Sequence, residues 1–268
     1  MDNVEIGIIG GTGGIGRWFA DCFGKAGYRV HVKGRREGFS LSELAARCRI
    51  VIVSVPIAAT SKVIRQVGPL LPEDSLLMDF TSLKEEPLRE MLAATRGEVI
   101  GCHPLFGPDC PSLEGQNIIL CPGRGKTWLA WLEAFFAKRG ARVTLTSPEE
   151  HDRMMSLVQG LTHLETLLMG LTLGDFGAER AAIEAFSTPV FRTKRAIVEK
   201  VFASPDLYAG LLAGNRSMPA IIQTYETHLA RLKTLLLNHD AEGLAALLKE
   251  KADQTPWSSS TAARRPRR

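Results

Sequence analysis

This chain lacks any C-x-x-C pair, and its five cysteines, Cys22, Cys48, Cys102, Cys110 and Cys121, show no metal-finger spacing. Their odd number argues against a disulfide framework, and no metal site is predicted. No apolar run approaches the ~18 residues that a membrane-spanning helix needs. The N-terminus also lacks the basic region and long apolar core of a secretory leader, so the expected compartment is the cytoplasm. Excess charge is missing too. The formal net charge is +4, but Arg264, Arg265, Arg267 and Arg268 all stand in the last few residues; without them the 33 basic residues fall to 29, equal to the 29 acids. A balanced body argues against a dedicated nucleic-acid surface. Residues 256–268, serine-rich and then arginine-rich, are expected to form a disordered tail.

Core-forming residues, by contrast, are ample: of 268 residues, 45% are hydrophobic. Apolar, β-branched runs recur at Val4–Gly10, Tyr28–Lys33, Ile50–Val55, Leu76–Phe80, Glu98–Cys102, Asn117–Cys121 and Arg142–Thr146, with helix-patterned stretches between most of them. That alternation predicts an α/β fold, a Rossmann-type doubly wound and mostly parallel sheet covered on both faces. After Ser147 the strand signal ends. Met154, Leu157, Val158, Leu161, Leu164, Leu167, Leu168 and Leu171 mark an apolar stripe at the helical period, and Pro189, Pro205 and Pro219 divide the remaining chain into several helices. The predicted organisation is a dinucleotide-binding domain over residues 1–147 and an all-helical domain over residues 148–255.

The first strand runs into Gly10-Gly11-Thr12-Gly13-Gly14-Ile15-Gly16, which carries G-x-G-x-x-G at Gly11, Gly13 and Gly16 and opens a helix. In that context the glycines serve a tight turn, close approach to a pyrophosphate and helix–strand packing, with anionic charge received at the helix N-terminus. Gly11, Thr12, Gly13, Ile15 and Gly16 are the candidate cofactor contacts. At the end of the second strand, where an NAD site usually presents an acid, the chain reads Lys33-Gly34-Arg35-Arg36. Arg35, assisted by Lys33 or Arg36, suits a 2′-phosphate, so NADP is favoured over NAD.

The fifth strand leads into Gly101-Cys102-His103-Pro104-Leu105-Phe106-Gly107-Pro108-Asp109, a turn fixed by prolines beside one imidazole. His103 would lie at the carboxyl edge of the sheet, where ligands of such folds gather, and can act there as a base. The run Asp79-Phe80-Thr81-Ser82-Leu83-Lys84 ends the preceding strand in the same way. Ser82 either orients the His103 imidazole or caps the next helix.

Together these motifs resemble the prephenate dehydrogenase family. The resemblance rests on His103-Pro-Leu-Phe-Gly-Pro-Asp, Val53-Ser54-Val55-Pro56-Ile57, Thr81-Ser82-Leu83-Lys84, Glu150-His151-Asp152, Gln159-Gly160-Leu161-Thr162-His163 and Ser187-Thr188-Pro189-Val190-Phe191-Arg192, collinear from residue 4 to about residue 235. It is nearest to the monofunctional form. It implies oxidative decarboxylation of prephenate to 4-hydroxyphenylpyruvate with hydride transfer to NAD(P)+, in tyrosine biosynthesis. His103 would then accept the 4-hydroxyl proton with Ser82 orienting it, His151 would be a second substrate-site histidine, and Ser54 and Pro56 would face the cofactor. The position of the family's carboxylate-binding arginine holds Lys200, so Lys200, Arg192 or Arg195, with Lys84 as a further candidate, would bind the substrate carboxylates. The resemblance also implies a homodimer built by the helical domain. Two alternatives stand beside this reading: the same chemistry on arogenate, and a non-catalytic NADP-sensing module.

Overall fold

The computed structural model describes residues 4–252. Its first part alternates strand and helix: β1 Glu5–Ile9, α1 Gly14–Lys25, β2 Arg29–Lys33, α2 Leu41–Arg47, β3 Ile50–Val53, α3 Ile57–Val67, β4 Leu76–Asp79, α4 Glu85–Ala94, β5 Glu98–Pro104, β6 Asn117–Arg124, α5 Thr127–Ala137 and β7 Arg142–Leu145. The rest is helical: α6 Pro148–Met155, a π-helical turn Ser156–Leu161, α7 Thr162–Asp175, α8 Arg180–Ala185, α9 Pro189–Phe202, α10 Pro205–Gly214, α11 Met218–Leu237 and α12 Ala241–Ala252. Pro189 and Pro205 each open a helix, where the missing N–H costs nothing.

The seven strands form one sheet in the order β2-β1-β3-β4-β5-β6-β7, parallel except where β6 runs antiparallel to β5. This is the doubly wound, mostly parallel architecture expected of the alternation. The strands β3 and β4, Ile50–Val53 and Leu76–Asp79, are buried throughout, as continuous apolar runs covered on both faces must be. Phe19, Phe23, Ile8, Ile52, Met78 and Phe136 fill one side of the sheet; Leu44, Val51, Val53, Ile64, Leu77 and Met91 fill the other.

One boundary differs from expectation. The change from α/β to all-helical structure comes after β7, but the compact units are Met1–Met218 and Pro219–Arg268. Helices α6 to α10 therefore belong with the sheet. Polar ties explain it: the Asp152 carboxylate on α6 accepts the backbone N–H groups of Lys84 and Glu85 at the start of α4, and Asn215 donates to the Asp152 carbonyl at 2.8 Å. The second unit holds most of α11 and all of α12, where Arg231 pairs with Glu250 at 3.2 Å. The predicted tail, residues 256–268, lies outside the described residues. Among the described residues no helix is long and apolar enough to cross a membrane.

Candidate active site

The sheet order reverses at β1, between β2 and β3, and there the carboxyl ends of β1 and β3 open a cleft of about 740 Å³. A doubly wound sheet binds ligands at such a switch point. Gly10 turns the chain with φ +85°, and a side chain on it would collide with the Ser54 carbonyl. Gly16 packs so closely on the Gly10 carbonyl and the Gly11 Cα that a Cβ there would clash as well. Helix α1 begins with Gly13 at its N-cap, no side-chain cap and no acid in its first turn, so its free N–H groups suit an anion. These features fit a dinucleotide's pyrophosphate.

Of the predicted cofactor contacts, Thr12, Gly13, Arg35, Ser54 and Pro56 line the cleft. The others do not. Gly11 is buried against Val32, Gly16 against the loop backbone, and Ile15 packs on the main core, so these three shape the loop without lining the cleft. Arg36 is exposed and does not line the cleft. Lys62 and Gln66 on α3 are additions to the expected set. With Ala59 and Val63 they recur at helical spacing along the face of α3 that borders the cleft, a pattern visible in the sequence. Lys33, Arg35 and Lys62 give this cleft three cations, and among the described residues no carboxylate lines it.

His103 lies on the same edge, since β1, β3, β4 and β5 are parallel and it stands near the carboxyl end of β5. It is not in a turn, as predicted, but inside the strand: β5 continues to Pro104 because β6 pairs with it, His103 opposite Ile119 and Pro104 opposite Ile118. The antiparallel partner holds the histidine's backbone rigidly. Its Nδ1 forms a 2.9 Å hydrogen bond with Nε2 of His151, and Nδ1 of His151 lies 2.7 Å from the Asp152 carboxylate. All three side chains are buried. Burial, reinforced by His151 and Lys84 nearby, holds the His103 pKa well below the ordinary histidine value, which keeps its ring neutral and able to accept a proton.

Two predicted roles are corrected. Ser82 makes no hydrogen bond to His103; the ring is oriented instead through its Nδ1, which is bonded to His151. Nor does Ser82 cap α4, whose N-cap is Lys84 and whose first N–H groups are taken by Asp152. Lys84 is not a substrate cation. It is fully enclosed, paired with Asp79, and its ammonium also donates to Thr81 Oγ1 and, at 3.0 Å, to the Cys102 carbonyl. All three donors of the ammonium are spent inside the fold.

The helical cations are less constrained. Arg192 and Lys200 are exposed on α9; Arg192 donates to the Ser187 carbonyl at 3.0 Å, and no hydrogen bond joins either residue to the His103–His151 pair. Arg195 is paired with Glu184 and Glu199 at 3.3 and 3.4 Å. His163 lies in α7, beyond the π-helical turn, edge-on to Tyr208 at 4.8 Å between ring centres. Among the described residues no group of three or more His, Cys, Asp or Glu side chains is placed to hold a metal.

Residues 25–145 match the model described as the nucleotide-binding domain of prephenate dehydrogenase, and residues 147–250 match the one described as its dimerization domain. The chain belongs to the prephenate dehydrogenase family. A probable arogenate/prephenate dehydrogenase of Methanocaldococcus jannaschii is 35% identical over 270 residues, which span 93% of this chain and 60% of the relative. The T-protein of Enterobacter agglomerans is 37% identical over 240 residues, 89% of this chain and 64% of its own length. The chain thus spans less than two thirds of these relatives. In fold it is similar to the crystal structure of prephenate dehydrogenase from A. aeolicus in complex with hydroxyphenyl propionate and NAD+, with a TM-score of 0.77 at 20% identity over 95% of this chain and 98% of that one.

Proposed function

We propose that this chain carries out the oxidative decarboxylation of prephenate to 4-hydroxyphenylpyruvate, a step of tyrosine biosynthesis, in the cytoplasm. The observation that carries this reading is a buried, neutral His103 on the same sheet edge as a dinucleotide cleft. A nicotinamide dinucleotide bound in that cleft supplies the acceptor for the hydride leaving C4 of the substrate ring. His103 takes the 4-hydroxyl proton as that hydride departs. The bond from C1 to the ring carboxylate then breaks, CO2 leaves, and the electron pair it leaves behind completes the aromatic ring. The phenolate oxygen recovers its proton from His103. Aromatisation drives the sequence, so the protein's task is to hold the base neutral and in place.

NADP is the cofactor favoured by Lys33, Arg35 and Lys62 around the cleft and by the lack of a carboxylate there for a ribose diol. A homodimer formed by the helical region belongs to the same reading. Leu157, Val158, Leu168 and Leu171 leave much of one apolar stripe exposed on the single chain, and the matched family model is described as a dimerization domain. The arogenate reading differs only in an amine on the substrate side chain. The M. jannaschii relative carries both substrates in its name.

Initial rates of nicotinamide reduction, with prephenate or arogenate and NADP+ or NAD+ in all four pairings, test the proposal. The highest rate is expected with prephenate and NADP+. A preference for arogenate reassigns the substrate, and no turnover in any pairing, with dinucleotide binding intact, overturns the catalytic reading in favour of a sensor.

A further inference from the structure

We infer that Asp152 is a positioning residue that sets the tautomers of two imidazoles and thereby leaves His103 with its proton-accepting lone pair on Nε2. The inference rests on the reading of His103 as the base.

Asp152 Oδ1 accepts the Lys84 backbone N–H at 2.8 Å, and Oδ2 accepts that of Glu85 at 3.1 Å. Both oxygens are thus held by donors that cannot change role, in the plane those donors fix. A carboxylate so held acts only as acceptor. His151 Nδ1, 2.7 Å from Oδ1, must therefore carry a hydrogen and donate it. In a neutral imidazole one nitrogen donates and the other accepts, so His151 Nε2 presents a lone pair. That lone pair lies 2.9 Å from His103 Nδ1, which must in turn carry its own hydrogen. The one lone pair left on the His103 ring is on Nε2.

With both rings neutral, each link follows from the one before it, and the starting link is backbone. Without Asp152, either ring nitrogen of His151 can hold the hydrogen, and His103 is free to take the tautomer whose Nε2 is a donor and no base. The carboxylate also has a second effect. When His103 takes up a proton it becomes an imidazolium, and the chain His103 to His151 to Asp152 leads from it to a fixed negative group through two hydrogen bonds. The charged neighbours of the carboxylate are already committed: Lys84 is paired with Asp79, and Glu85 faces Arg216 at 3.8 Å.

The test is nitrogen NMR of the full chain with ¹⁵N-labelled histidine at neutral pH, the two rings being assigned from spectra of His103→Asn and His151→Gln. Both rings are expected as the Nδ1-protonated tautomer. An Nε2-protonated ring at either position overturns the inference. A second arm uses Asp152→Asn, which keeps the size of the side chain but removes its charge and turns an NH2 toward at least one of its three donors. Turnover number is expected to fall a hundred-fold or more while dinucleotide affinity stays within two-fold; turnover retained within two-fold overturns the inference. If this variant fails to fold, the wild-type spectrum alone decides. Because that spectrum needs no substrate, silence in the rate assay would overturn the proposed reaction and leave the tautomers measurable.

Discussion

The indole Nε1 of Trp18, on α1, donates to the Cys110 carbonyl at 2.7 Å, tying the helix behind the glycine-rich loop to the segment just beyond His103. The Trp18 ring also meets Phe106 edge-on at 5.0 Å, and Pro108 sits so close over Gly14 that a Cβ there would lie 3.2 Å from its ring. The histidine-bearing segment and the cofactor loop are thus one assembly. Replacing Trp18→Phe removes the hydrogen bond and keeps a ring. A lost hydrogen bond of about 1 kcal/mol corresponds to roughly five-fold more opening of the segment. Limited proteolysis should show faster cleavage between residues 105 and 116, and an unchanged rate would mean that ring packing alone holds the segment.

Acid should affect this protein in two ways with one origin. Because the folded His103 pKa lies well below the ordinary value of 6.5, kcat/KM is expected to stay level through that value and to fall only at more acidic pH. Stability moves with the same shift. Below about 6.5 the unfolded chain takes up a proton at this histidine that the folded chain refuses, so the stabilisation is complete above that pH and is lost progressively as pH falls toward the folded pKa. Urea unfolding at about pH 7.5 and about pH 5 should show a smaller loss of stability for His103→Asn than for the parent chain.

The Asp79–Lys84 pair is wholly enclosed, so breaking it strands a buried charge. Lys84→Met is expected to cost about 3–5 kcal/mol, and combining it with Asp79→Asn, which still accepts the Thr81 N–H, should recover about half of that. Denaturant midpoints of the two variants measure both numbers. A loss under about 1 kcal/mol for Lys84→Met would mean that Asp79 finds another way to neutralise itself.

Cofactor preference should depend on the cations that line the cleft. Arg35→Ala and Lys62→Ala are each expected to weaken NADPH binding about ten-fold, the worth of one charge-assisted hydrogen bond, with little effect on NADH. Arg36→Ala, outside the cleft, should change neither. Fluorescence titration with both reduced cofactors reads the ratio directly.

Seven strands in order, the glycine-rich turn and the switch to helices after residue 147 are all legible in the sequence, because each is written in local periodicity and composition. The residues whose roles differ from expectation do so for non-local reasons. His103 reads as part of a turn since Pro104 comes next, yet an antiparallel neighbour from residues 117–124 extends its strand. Ser82 has suitable chemistry in a suitable segment, but the imidazole already has a partner 48 positions further along. Lys84 reads as a candidate cation for the substrate carboxylates; no local signal announces that Asp79, Thr81 and the Cys102 carbonyl close around it. Asp152 is visible beside His151 but suggests no role of its own, because its purpose depends on two backbone groups of a distant helix start.

The π-helical turn Ser156–Leu161 makes the long rod from Pro148 to Asp175 a helix with a slipped phase. Ahead of the slip, His151, Asp152 and Met155 face inward; beyond it, the direction of every side chain is offset by the extra residue. Wound as an ordinary α-helix at about 100° per residue, this stretch would carry α7 round by about that angle relative to α6, and the wider π turn absorbs the extra residue instead. Gly160, within the slip and packed against Met218, would leave its partner. Chain length in this short stretch therefore acts as a phase setting, coupling the face that serves the histidines to the face that α7 turns outward, and natural variants should conserve its length more strictly than its residues.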